Sequence, residues 1–498
     1  LINNIYIYYT INTIRIFLLM EIKNNLKTLY LSIIIFSLPF IQFILNNIQE
    51  IDVVIGKSFY YLIFFLAIFV IFFSVILNRF NLKKNLLDKI LVSTLIFWLL
   101  FNHNFLKLYI NNLFNNDDFV VKISSELSLA ILILFIIFFS IYILKKNIFL
   151  LRFLFLFFSL SFLFTIFQII NYEKIVKEKD IYTPEIIFED KLKSKKDNIY
   201  YLILDGMQPI EDFEKFYKKN LQDYLQNVKK KGFLYIEGTE SLHSNTSYSL
   251  SSMFYLNDIS EKSSKIPFPV VMRSKFKPDL IHNLDNLGYD FKWIGNFFAY
   301  CPKYNLKYCL DKKKNPIIDT YLYINFFRQT PLIQTIINFG HIFNFDYNKN
   351  FFFKLNNGIG RLINHLEKSD NFNDKATFYF IHHMSPHWPY VTNKDCSYKF
   401  YEGEKNLKGY ESSYLCVLKR VENLINYLAK FDPNAIVIFQ SDHNWKLSKN
   451  HEQDKKKIFN LIKINDCKLT NDVNFHNVNT LRLILSCITG NEPRYLIN

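Results

Sequence analysis

The chain has 498 residues, half of them hydrophobic, and a formal net charge of +15. That length exceeds one ordinary domain and calls for at least two. Lys, Asn, Ile, Phe and Tyr recur throughout, loops included, as a genome-wide codon bias would produce. No zinc-finger, recognition-helix or Gly-rich nucleotide-loop spacing accompanies the positive charge, so no nucleic-acid partner is expected.

Five apolar windows come first in chain order, at 28–48, 58–77, 90–106, 127–144 and 153–170. The second, Ser58 to Leu77, carries no charged residue and is long enough to cross a hydrocarbon core. Lys23 and Lys27 precede the first window. Arg79, Lys83, Lys84 and Lys89 follow the second, and Lys145, Lys146 and Arg152 follow the fourth. The alternate loops are poorer in cations, holding Glu50, Asp52 and Lys57, then Lys107, Asp117, Asp118, Lys122 and Glu126. By the positive-inside rule the amino terminus is cytoplasmic, and five spans place residue 171 onward outside.

The expected organisation is a cytoplasmic segment 1–27, a five-helix transmembrane domain 28–170, a linker 171–197 and a second domain 198–498. Within the first segment, 1–19 reads as an over-extended start or an alternative initiation, since Met20 directly precedes the basic residues expected before a first span. It has no signal-peptide cleavage pattern. All six cysteines (Cys301, Cys309, Cys396, Cys416, Cys467, Cys487) lie after the last window, which suits an oxidising compartment. Fifteen pairings are open; pairing of neighbours, 301–309, 396–416 and 467–487, is the simplest, and six buried thiols are the alternative.

From Asn198 the pattern alternates. Tyr200–Leu204, Phe233–Glu237, Phe291–Ile294, Thr377–Ile381, Ile436–Gln440 and Lys457–Ile464 read as strands. Phe213–Lys231, Leu280–Leu287, Tyr414–Ala429 and Asn479–Ile488 read as helices, with Leu415, Leu418, Val421, Leu424, Ile425 and Leu428 on one stripe of the third. The predicted fold is therefore a five-helix membrane region followed by an α/β doubly wound domain.

Two of these strands end in acids. Asn198-Ile-Tyr-Tyr-Leu-Ile-Leu leads into Asp205-Gly206, and Ala435-Ile-Val-Ile-Phe-Gln-Ser leads into Asp442-His443. In an open parallel sheet such ends share the edge where ligands bind. Two carboxylates and an imidazole there make a site for a divalent cation; Zn²⁺ or Mn²⁺ suits them, and Mg²⁺ is compatible. Between them, Ser244, Thr246, Ser247 and Ser249 open an apolar segment, any of them a helix cap or a nucleophile. His382-His383-Met-Ser-Pro386-His387-Trp388-Pro389-Tyr390 follows a further strand. Its imidazoles could hold an ion, bind an anion or protonate a leaving group, with His383 read as packed.

Strand–Asp, hydroxyl-led helix, His-x-x-x-Pro-His and strand–Asp-His, in that order, resemble the alkaline phosphatase/sulfatase superfamily over 198–498. The resemblance is nearest to its membrane-anchored, sulfatase-like hydrolase/transferase branch. It implies that Asp205, Asp442 and His443 ligate metal, and that Thr246, also at the metal, is the nucleophile. It gives His382 and His387 catalytic roles on the substrate. The five-span architecture is similar to bacterial phosphoethanolamine and glycerol-phosphate transferases. That implies an envelope enzyme drawing on a phospholipid donor and a glycan or lipid acceptor at the membrane. Asn444 stands where the family usually has Gly. The Cys/Ser-x-Pro-x-Arg signature of sulfatases is absent, which disfavours sulfate-ester hydrolysis. A non-catalytic, membrane-anchored binding or assembly protein is the competing expectation. His451 and His476 fall near further ligand positions of some relatives, although a lone histidine in a polar loop is usually solvated. Asn479-Thr480-Leu481-Arg482 also resembles a late family segment, with no role beyond a capped helix.

Overall fold

The computed structural model describes residues 26–38, 41–42, 90–91, 93–95, 155–168, 170, 187–189, 196–258, 278–295, 310, 353–354, 357–368, 375–399, 407–445, 456–464 and 475–496. The chain divides into two compact units, Leu1–Lys179 with Asp319–Phe345, and Asp180–Ile318 with Asp346–Asn498.

In the first unit, 26–38 and 155–168 are helical and fall in the first and fifth apolar windows. The windows 58–77 and 127–144, the basic loops 79–89 and 145–152 and most of the linker lie outside the described residues. Among the described residues no helix is long and apolar enough to cross a membrane. The two helical stretches touch through Tyr30 and Phe155, whose ring centroids are 5.6 Å apart.

The second unit is built on a six-stranded sheet: β1 (Ile199–Leu204), β2 (Leu234–Tyr235), β3 (Asp290–Ile294), β4 (Thr377–His383), β5 (Ile436–Gln440) and β6 (Asn460–Lys463), in the order β2-β6-β5-β1-β4-β3. β5, β1, β4 and β3 run parallel, while β6 is antiparallel to β5 and to β2. Every residue of β1, Ile-Tyr-Tyr-Leu-Ile-Leu, is buried, as a central parallel strand covered on both faces requires. Its side chains alternate between two cores. Ile199, Tyr201 and Ile203 meet α3 (Thr246–Phe254), α4 (Asp279–Asn286) and α7 (Asn477–Thr489). Tyr200, Leu202 and Leu204 meet α1 (Ile210–Tyr217), α2 (Gln222–Lys230), α5 (Gly358–Lys368) and α6 (Leu407–Phe431). The doubly wound expectation holds for this unit.

Several elements differ from expectation. The helix read over Phe213–Lys231 is two helices, because Lys218 adopts a left-handed conformation (φ 52°) and its N–H closes on the Glu214 carbonyl. β2 and β6 are shorter than read, and α5 was not anticipated. β4 extends two residues beyond Ile381, so both His382 and His383 are strand residues. Cys396 and Cys416 are disulfide-bonded, as neighbour pairing expects, and Cys487 is also in a disulfide. Cys301, Cys309 and Cys467 lie outside the described residues.

Candidate active site

The register fixes what meets at the sheet edge. Ile203 of β1 pairs with His382 on one side and Gln440 on the other, so Asp205, the end of β4 and Ser441-Asp442-His443 leave the sheet together. Asp205 then turns at Gly206, whose φ of +68° favours glycine and over which His387 and His443 pack, with ring atoms 3.5 and 3.6 Å from where a Cβ would stand.

Asp205, Asp442 and His443 are buried and offer ligand atoms within 4.8 Å of one another, the one such His/Cys/Asp/Glu group among the described residues. His443 Nε2 lies 3.5 Å from Asp205 Oδ1 and 3.6 Å from Asp442 Oδ2. Its other nitrogen, Nδ1, donates to the Asn444 carbonyl at 2.8 Å. A carbonyl only accepts, so the neutral ring carries its proton on Nδ1 and turns the Nε2 lone pair toward the carboxylates. Asn444 therefore serves this function through its main chain. Asp442 Oδ1 accepts from Gly206 N at 3.1 Å and His443 N at 2.9 Å. Asp442 Oδ2, buried, has no hydrogen-bond donor among the described residues. Burial alone would raise the Asp442 carboxyl, but His443, His382, the Thr246 hydroxyl and Gly206 N–H outweigh it and hold it below the ordinary carboxylate range. Two buried carboxylates, one open oxygen and one aimed imidazole lone pair fit a divalent cation in both charge and donor type.

Thr246 is the first residue of α3, capped by the Asn245 side chain, which accepts from Tyr248 N at 3.0 Å. Its Oγ1 is 3.2 Å from His443 Nε2. Ser249, one of its three rivals, is buried, and its hydroxyl donates to the Asp442 carbonyl at 2.7 Å and accepts from Asn477 Nδ2 at 2.7 Å. Ser244 is exposed.

His382 Nε2 lies 3.4 Å from Asp205 Oδ2, and burial pulls its pKa down to about 4 against the opposing pull of Asp442. His387 is half-buried, its ring 6.2 Å from that of His443, with Nδ1 bonded to the Trp388 carbonyl at 2.6 Å. His383 is packed, as expected. It points to the opposite face, where its Nδ1 accepts from Ile359 N at 3.3 Å. Gly358 permits that contact, since a Cβ there would meet the His382 carbonyl at 3.1 Å.

His476 is not a solvated loop residue. It is 2 % exposed and caps α7, with Nδ1 accepting from Asn479 N at 3.3 Å, and it is not part of the Asp205–Asp442–His443 group. His451 lies outside the described residues. The Asn479–Arg482 segment has a structural use: Thr480 Oγ1 accepts from Gln440 Nε2 at 2.8 Å, Asn479 Oδ1 accepts from Leu496 N at 2.7 Å, and Arg482 Nε donates to the Leu256 carbonyl at 2.8 Å.

Sequence reasoning missed Ser441 and Tyr410. Ser441 Oγ donates to the His443 carbonyl at 2.7 Å and accepts from Met207 N at 3.0 Å, tying the two acid-bearing loops together. Its place just before Asp442 was the available signal. Tyr410 sits in α6, far from any motif, and no sequence pattern marks it.

Among solved structures, the chain is similar to the integral membrane protein lipooligosaccharide phosphoethanolamine transferase A (EptA) from Neisseria meningitidis. Identity is 12 %, covering 93 % of this chain and 95 % of that one, with a TM-score of 0.45. It is also similar to the C-terminal periplasmic domain of EcEptC from Escherichia coli, at 13 % identity over 62 % of this chain and 86 % of that one, TM-score 0.39. The corresponding domain of phosphoethanolamine transferase EptC from Campylobacter jejuni aligns at 15 % identity over 60 % and 92 %, TM-score 0.37. No curated protein matches the chain in sequence. The Sulfatase family model matches residues 198–463, a stretch that begins just before β1 and ends with β6, with Asp205, Thr246, His382, Asp442 and His443 inside it. The chain belongs to the Sulfatase family, in the alkaline phosphatase/sulfatase superfamily.

Proposed function

We propose that the protein is a metal-dependent phosphoryl-ester transferase or hydrolase of the bacterial cell envelope that works through Thr246. The observation that carries this reading is the Thr246 hydroxyl, set at a helix amino terminus 3.2 Å from the His443 nitrogen that faces both carboxylates. A bound cation, held by Asp205, Thr246, Asp442 and His443, would lower the hydroxyl pKa and offset charge on phosphoryl oxygens.

The chain's own residues supply the rest. Thr246 Oγ1 gives up its proton to solvent and bonds to phosphorus as the ester bond to the departing alcohol breaks. The amino-terminal amides of α3 favour the incoming anion. The proton for the departing oxygen is assigned to His387, which is half-buried beside His443. An acceptor hydroxyl, or water, then bonds to phosphorus as the bond to Thr246 Oγ1 breaks; its proton passes to His387, and Thr246 Oγ1 regains one from solvent.

The membrane setting rests on the apolar windows and on the described part of the first unit. There Leu26, Ile33, Leu156, Leu160, Leu163, Phe164 and Phe167 are exposed by 57 to 62 %, a surface suited to lipid. A tethered enzyme of this kind suits a phospholipid donor and a surface glycan or lipid acceptor, with residues 171–498 outside the cytoplasmic membrane. Thr246→Ala should abolish turnover of a phosphodiester probe such as bis(p-nitrophenyl) phosphate while metal content stays at the wild-type level. A fully active Thr246→Ala chain overturns the mechanism, and faster turnover of aryl sulfates than of phosphodiesters replaces it with sulfate-ester hydrolysis.

A further inference from the structure

We propose that Tyr410 is a positioning residue for the cation site, bracing the loops that carry Asp205, Asp442 and His443 so that cation affinity depends on a side chain outside the ligand set. The inference rests on the metal-dependent reading above and adds a specific residue to it.

Tyr410 lies in the first turns of α6 and is fully buried. Its hydroxyl donates to the Gly206 carbonyl at 3.0 Å and accepts from Gln208 N, also at 3.0 Å. Those two peptide groups flank Met207, so one phenol holds the turn that follows Asp205 at two points. The Gly206–Met207 peptide is gripped at its other end too, since Met207 N donates to Ser441 Oγ at 3.0 Å. With that peptide fixed, the adjacent Gly206 N–H is held on Asp442 Oδ1, which leaves Asp442 Oδ2 as the oxygen facing His443 Nε2. Burial keeps the phenol far above its ordinary pKa, so the donor is present at any working pH.

The ring braces the other two loops. It stacks on Trp445, two residues past His443, with centroids 4.1 Å apart and planes at 16°. Trp445 Nε1 donates to Tyr390 OH at 2.9 Å, and Tyr390, three residues past His387, meets the Tyr410 ring edge-on at 6.0 Å. One side chain from a long helix thus contacts the turn after β1 and residues from the loops after β4 and β5. Tyr414, one turn along α6, provides a matched comparison. Its hydroxyl donates to the Gln208 carbonyl at 3.2 Å, the same loop but beyond the peptides that orient Asp205 and Gly206.

The test uses the full-length chain in detergent and Zn²⁺ or Mn²⁺ alone, with affinity read by competition against a chromogenic chelator. Tyr410→Phe keeps the ring stack and should weaken binding about 10- to 100-fold, the usual scale for an outer-shell hydrogen bond. Tyr414→Phe should bind as wild type does. A Tyr410→Phe chain that unfolds at lower temperature yet binds metal with wild-type affinity overturns the proposal, leaving Tyr410 a packing residue only. Should Tyr410→Phe fail to fold, the comparison is made on Tyr390→Phe, which removes the acceptor for Trp445 Nε1; unchanged affinity there overturns the brace. Asp442→Ala separates the two levels. If wild type binds metal and Asp442→Ala does not, the site stands whatever Tyr410 does. If wild type binds none, the metal reading fails and the brace fails with it.

Discussion

In the C-terminal unit Phe378, Phe380, Phe254 and Trp293 are sealed inside, while the helical stretches 26–38 and 155–168 of the N-terminal unit turn many of their largest apolar side chains outward. Of the exposed large hydrophobic residues among those described, twelve lie in or beside those two stretches and four in the sheet-bearing unit. Hydroxyls go the other way: Ser32 and Thr165 are buried at 3 % and 5 % exposure. Each donates to the carbonyl four residues earlier in its own helix, Thr28 and Ser161, at 2.8 Å. The proposed membrane setting of the N-terminal unit accounts for this difference. Water drives apolar side chains inward, whereas lipid is as apolar as leucine and leaves small and hydroxyl residues to the helix contacts.

The sharpest way to break this comparison is to make opposed changes in the two units. Phe380, fully buried between Phe254 and Trp293 at ring distances of 5.0 Å each, should lose about 3–5 kcal/mol of unfolding free energy as Phe380→Ala. Equilibrium denaturation of the full chain reads this, and a loss below about 1 kcal/mol would contradict the aromatic core. Leu163, 62 % exposed, should as Leu163→Arg cost about 2.5–3.5 kcal/mol of membrane insertion. The readout is the fraction of chain that resists carbonate extraction. A surface leucine in water would change stability by roughly 0.5 kcal/mol or less, so unchanged membrane recovery would assign that face to water.

The third prediction concerns His476 and pH. Burial lowers its pKa to about 4, with the Leu496 main chain opposing and Arg482 adding to the shift, whereas an unfolded histidine titrates near 6.5. Between those values the unfolded chain binds more protons. Stability from this group is therefore complete above about pH 6.5, falls as pH drops toward 4, and falls no further below that. The span amounts to on the order of 3 kcal/mol. His476→Asn keeps a capping oxygen at the start of α7 and should remove that share of the acid slope in unfolding experiments. An identical slope in the variant would show that the ring is not held neutral.

The sheet was legible because its strands are apolar and bounded: Ile436–Gln440 was read with its observed limits, and β1 and β3 to within one residue. α5 was missed because it opens Gly-Ile-Gly, a pattern that reads as a loop. The glycine is there because Gly358 packs against the His382 carbonyl, a tertiary reason with no local trace. The break at Lys218 was equally silent, since a lysine in left-handed conformation carries no sequence mark. The acids and imidazoles of the candidate site were legible from their places at strand ends. Their support was not. Tyr410 lies before the apolar stripe of α6 that begins at Leu415, and only the three-dimensional crossing of α6 beneath the β1 turn gives it meaning.

The covalent step at Thr246 is tested most directly by trapping. The full-length chain, loaded with Zn²⁺ or Mn²⁺, would be mixed with bis(p-nitrophenyl) phosphate, quenched in acid within one turnover and digested for peptide mass spectrometry. The account predicts a phosphoryl-ester adduct on Thr246, absent when the metal is chelated and absent in Asp442→Ala. An adduct on Ser244, Ser247 or Ser249, or undiminished turnover by a chain that carries no adduct, would contradict it.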